Sequence, residues 1–83
     1  MLTIDVKFVA SELTPGLTDG EISIEDGATV RELILQCASQ RDTSVPPDNF
    51  AMMYPLFNGK PLTVDGALTK DGTLHICRVV LGG

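Results

Sequence analysis

Basic residues are scarce in this 83-residue chain, six Lys and Arg against eleven Asp and Glu, for a net charge of −5. The six are also scattered along the sequence, which argues against a surface that tracks a phosphate backbone and predicts no nucleic-acid partner. The acidic balance permits steering toward a basic partner surface. Cysteine is limited to Cys37 and Cys77, with no C-x-x-C spacing and no nearby second ligand, so a zinc site is not expected. No apolar run approaches the ~18 residues of a membrane span. Met1-Leu2-Thr3-Ile4-Asp5 is neither basic nor followed by the apolar stretch of a leader peptide. The expectation is a cytoplasmic protein with no membrane partner and two free thiols in a reducing compartment. Aromatics are few, at 5%, within an otherwise ordinary composition of 43% hydrophobic and 20% charged residues. Repeats and low-complexity segments are absent. A chain of this length makes one domain, residues 1–83, that buries about 60% of its extended surface.

What is present begins at the far end, Leu81-Gly82-Gly83. Two glycines there by chance is a roughly 0.5% coincidence, at an average glycine abundance of ~7%. A glycine carboxylate has no Cβ beside it and can thread a narrow channel into another enzyme. With a pKa of about 3.3–3.7 it is ionised at neutral pH and a poor acyl donor, so it must be activated before it reacts. The pattern reads as a protein handed on by its last residue. The rival reading is an uninvolved, frayed tail.

Upstream, the periodicities alternate between strand and helix. Leu2, Ile4, Val6 and Phe8 alternate with Thr3, Asp5 and Lys7, the period of a half-buried strand. Residues 11–20, with Pro15-Gly16 and Asp19-Gly20, read as loop, and Glu21–Glu25 as a second strand. Thr29 and Glu32 form a capping box, and Val30, Leu33, Ile34, Cys37 and Ala38 then make one apolar helical stripe. Leu35 lies off it. The helix is expected to fade near Arg41, because Val45-Pro46-Pro47-Asp48 cannot continue it. Met52–Phe57 reads as a strand, edge or bulged because of Pro55, with Met52 and Met53 on opposite faces. Asn58-Gly59 is a tight turn into Lys60-Pro61-Leu62, and Asp71-Gly72 reads as a second turn. Thr73–Leu81 is the longest apolar strand, broken only by His75 and Arg78, and belongs in the centre of a sheet. A lone amphipathic helix must bury its stripe on one sheet face. The expected fold is therefore α+β: a mixed four- to five-stranded sheet crossed by one helix, a β-grasp, with a flexible tail over residues 79–83.

Several segments in that order carry a resemblance. Val45-Pro46-Pro47-Asp48 resembles the Ile-Pro-Pro-Asp that follows the helix of ubiquitin. Phe57-Asn58-Gly59-Lys60-Pro61-Leu62 is similar to its Phe-Ala-Gly-Lys-Gln-Leu turn, and Thr73-Leu74-His75-Ile76 to its Thr-Leu-His-Leu strand. The chain thus resembles the ubiquitin-like β-grasp family over most of its length. It departs from ubiquitin in the lengths between these motifs and in a tail, Val79-Val80-Leu81, that is apolar where ubiquitin's is basic. In that respect it looks more like the prokaryotic sulfur-carrier proteins of thiamine and molybdopterin synthesis.

The resemblance implies a protein substrate, not an enzyme. Gly83 would be adenylated or converted to a thiocarboxylate, with Gly82 supplying slimness. Val79, Val80 and Leu81 would contact the adenylating activating enzyme. It further implies a recognition patch of Leu56, His75 and Cys77; the plainer alternative is a sheet face covered without a partner. His75 and Cys77 at i, i+2 lack a third orienting group and read as packing before catalysis. Lys60 matches a chain-building lysine of ubiquitin, but a lysine beside a tight turn is exposed for solubility alone. Glu25-Asp26 and the other acids are too dispersed for acid–base work or a cation cage. The chain would bind no cofactor or metal itself, ATP being used by the activating enzyme. It would act as a monomer that meets a conjugating enzyme, a target protein or a sulfur-accepting enzyme. Three readings result: a protein modifier, a sulfur carrier, and a β-grasp interaction module that is never activated.

Overall fold

The computed structural model describes residues 1–80. Five strands form one sheet in the order β2-β1-β5-β3-β4: β1 Leu2–Phe8, β2 Gly20–Ile24, β3 Met53–Phe57, β4 Lys60–Pro61 and β5 Gly72–Arg78. Only β1 and β5 run parallel, with Val6 beside Leu74 and Phe8 beside Ile76; the other pairs are antiparallel. The sheet is mixed and the last strand is its centre, as the sequence leads one to expect.

Helix α1, Val30–Gln40, crosses one face. Its capping box is complete: Glu32 N–H donates to Thr29 Oγ1 at 3.1 Å, and Thr29 N–H donates to Glu32 Oε1 at 2.9 Å. Val30, Leu33, Ile34 and Ala38 are buried and Cys37 half-buried, while Leu35 faces solvent. They form one core with Ile4, Val6, Ile22, Ile24, Leu74 and Ile76. Each such aliphatic side chain contributes about 1.5–3 kcal/mol by leaving water. Arg41 closes the helix as expected.

Three local features differ from expectation. Pro47 does not stop α1, which has already ended at its Arg41 cap with Asp42 at a φ of 53°. It opens a one-turn helix α2, Pro47–Phe50, that tucks Phe50 into the core. Proline at a first helical position loses no intrahelical hydrogen bond, so Pro47 suits the start of a helix. Asp71-Gly72 is not a tight turn. Asp71 Oδ1 accepts from Thr3 N–H at 2.9 Å, and Gly72 begins β5 opposite Ile4. A Cβ there would lie 2.5 Å from Asn58 Oδ1, so this glycine permits a close approach. β5 ends at Arg78, short of Leu81, although Val79 N–H still donates to Met52 C=O at 2.8 Å.

Pro55 lies within β3 without breaking it. Asn58 N–H and Met52 C=O both bond toward β5, so alternation points the backbone of Pro55 away from β5. The N–H that proline lacks would thus face the short strand β4, and the Pro55 carbonyl accepts there from Leu62 N–H at 2.9 Å. Asn58 and Gly59, with φ of 51° and 81°, make the turn into β4 with the doubly positive φ of a type I′ hairpin.

Candidate functional site

The central strand positions the candidate site by its alternation. Leu74 and Ile76 point into the core, so Thr73, His75 and Cys77 look outward from the other sheet face. β3 lies antiparallel beside them, pairing Leu56 with His75 and Tyr54 with Cys77. Leu56, His75 and Cys77, expected together, are brought together, each half-buried. Tyr54 completes the block at 44% exposure. Tyr54, absent from the expected set, is placed on this face by the same strand period as Leu56, two residues earlier. The rest of the outer face is polar, with Thr3, Asp5 and Lys7 on β1 and Glu21 and Ser23 on β2. One half of this face is therefore apolar and the other charged.

His75 lies between Leu56 on one side and Lys7 on the other. Among the described residues its ring has no hydrogen-bond partner and no carboxylate orients it, so it forms no acid–base pair with Cys77. Lys7 Nζ is 3.7 Å from Asp5. Among the described residues no group of three His, Cys, Asp or Glu could hold a metal ion, and no helix is long and apolar enough to cross a membrane. Cys37 and Cys77 are on opposite sides of the sheet and both are free. Burial pushes the Cys37 thiol up, partly countered by the Arg41 charge.

At the exit of β5, Arg78 Nη1 is 3.3 Å from Glu12, which compensates its charge. Val79 is half-buried and Val80 is 87% exposed; with Met52 and Arg78 they line a shallow groove. Leu81, Gly82 and Gly83 lie outside the described residues. Of the expected tail contacts the structure thus describes two, one anchored to Met52 and one presented to solvent. Lys60 is exposed in the β3–β4 turn.

No protein-family model and no curated protein sequence matches this chain. Its architecture does match solved structures. A putative molybdopterin converting factor, subunit 1, from Pyrococcus furiosus is similar over 96% of this chain and 100% of its own, with a TM-score of 0.63 at 19% identity. SAMP1 from Haloferax volcanii covers 99% of this chain and 98% of its own, with a TM-score of 0.57 at 15% identity. A second structure of that organism's small archaeal modifier protein 1 gives 0.61 at 16% identity, over 96% and 100%. Likenesses at this level of identity, running through nearly the whole of both chains, establish a shared fold, the β-grasp.

Proposed function

We propose that this chain is a ubiquitin-like protein modifier, a substrate of an ATP-dependent activating enzyme and not a catalyst. The observation that supports it is a β-grasp sheet whose central strand leads through exposed Val80 into the Leu81-Gly82-Gly83 sequence. With Gly83 as the free end, one of its carboxylate oxygens attacks the α-phosphorus of ATP and pyrophosphate leaves. The acyl adenylate is then attacked by a partner cysteine thiolate, and AMP departs. A target amine displaces the thiolate to leave an amide. ATP is held by the activating enzyme, which reads Val79, Val80 and Leu81 in a channel slim enough to demand Gly82. Recognition of the folded domain falls to Tyr54, Leu56, His75 and Cys77, an apolar half-face next to a charged one.

A second reading is favoured by the apolar tail and by the likeness to a molybdopterin converting factor subunit. Here a donor of sulfur at the hydrosulfide level attacks the acyl adenylate. AMP leaves, and Gly83 becomes a thiocarboxylate for a sulfur-accepting enzyme. Both readings share the adenylate and part at the nucleophile.

Incubation with ATP and a lysate of the cells that encode the chain, followed by intact-mass measurement, tests both. Discrete protein adducts through Gly83 support the modifier. A mass gain equal to the exchange of one oxygen for sulfur supports the carrier. If neither forms, and removing Gly82-Gly83 leaves partner binding untouched, both fail and the chain is a non-conjugated interaction module.

A further inference from the structure

Four of the six basic side chains are engaged within the molecule: Lys7 with Asp5, Arg31 with Asp65, Arg78 with Glu12, and Arg41 with the Thr18 hydroxyl. Lys60 and Lys70 have neither an ion pair nor a hydrogen bond among the described residues, and both are exposed. They lie ten positions apart in sequence and on the same groove, of about 300 Å³, with Phe57, Pro61, Leu62 and Ala67 among its lining. Asp71, adjacent to Lys70, accepts from Thr3 N–H and is not part of the groove's lining. A protein of net charge −5 thus keeps its two uncommitted cations on the border of one apolar depression.

We infer that this groove docks an acidic–apolar peptide segment of a partner protein, one in which carboxylates flank an aromatic or branched aliphatic side chain. The apolar side chain fills the space over Phe57, Pro61 and Leu62 while the carboxylates meet Lys60 and Lys70. Charge complementarity sets the sign of the partner, and the overall −5 disfavours an anionic membrane or a nucleic acid, whose extended charge would also meet the net-acidic surface beyond the groove. The groove is at the Gly72 end of β5 and the tail at the Arg78 end. Seven strand residues separate them by about 20 Å at ~3.3 Å per residue. A partner seated there leaves the tail accessible, so the inference holds whichever fate Gly83 has.

The test is a titration of the ¹⁵N-labelled full chain with the peptide acetyl-Asp-Asp-Phe-Leu-Asp-Asp-amide, read by amide shifts. Saturable shifts at residues 57–62 and 67–70 are expected, weakening as salt rises. The double variant Lys60→Glu, Lys70→Glu should bind at least about tenfold more weakly while keeping a dispersed spectrum. Should that variant not fold, Lys60→Gln with Lys70→Gln gives the same comparison without charge reversal. Unchanged affinity in the variants overturns the inference, as does equal binding of the peptide with Gln in place of every Asp. Absence of saturation overturns it, and so do shifts centred on Tyr54 and His75. Tighter binding to phosphatidylserine vesicles than to the peptide would assign the groove to a lipid surface instead.

Discussion

A side chain's role in this molecule follows from which face of the sheet it occupies. Cys37 is on the helix side, half-buried, and burial holds its thiol above the ordinary value of 9.0. Alkylation by iodoacetamide at pH 8 should therefore be slower at Cys37 than at the same cysteine in the urea-unfolded chain; equal rates would contradict the burial argument. The sign for stability follows. A folded-state value raised above the unfolded one favours the folded state below about pH 9, and that contribution is lost as pH rises through the folded value. The urea midpoint should fall above pH 9 in the parent and fall less in Cys37→Ala. Leu56, by contrast, is on the outer face. If the proposed function holds, Leu56→Asp should slow adenylate-dependent transfer severalfold while the thermal midpoint moves little, because the residue is only half-buried. A matching loss of both would make Leu56 a packing residue only.

Helix α1 was legible because its signals are local. The capping box needs only Thr29 and Glu32, and the apolar stripe needs only the helical period. Thr29→Ala removes a side-chain bond to a backbone N–H and should lower stability by about 1 kcal/mol, measured by urea denaturation; a change near zero would mean water replaces the cap. Helix α2 was not legible, since Pro46-Pro47 is a stop signal seen from α1 and a start signal only once Phe50 has a core to enter. The core supplies that reason from a distance. Arg31 lies over the Phe50 ring at 4.8 Å and its Nε is 2.9 Å from Asp65, tying α1 to the residues before β5. The Arg31 guanidinium holds the Asp65 carboxyl below its usual range, so this tie is intact above the unfolded value and loosens as pH falls through the folded one.

For the whole molecule, the decisive pairing is between distant parts of the sequence. β5 lies parallel to β1, Leu74 beside Val6, and no local pattern states that these segments meet. Leu74 is fully buried in the centre of the sheet. Leu74→Ala should cost about 2–5 kcal/mol and lower the unfolding midpoint accordingly. A cost below that range would mean that α1 closes over the gap. The expectation that Asp71-Gly72 is a turn failed for the same non-local reason. Gly72 is needed where the hairpin turn at Asn58 packs against the start of β5, a contact between segments fourteen residues apart.

The sequence by itself determined the strand and helix periods, the cap of α1 and the tight turn at Asn58-Gly59. All of these depend on neighbours within a few positions, where backbone geometry leaves few choices. Only the tertiary structure decided that Tyr54 and Leu56 lie beside Cys77 and His75 and that Pro55 spends its missing N–H on the side of β4. It also decided that Lys60 and Lys70 share a groove. Those facts depend on which strands lie side by side, and that is settled by burial of one common core, not by any segment alone.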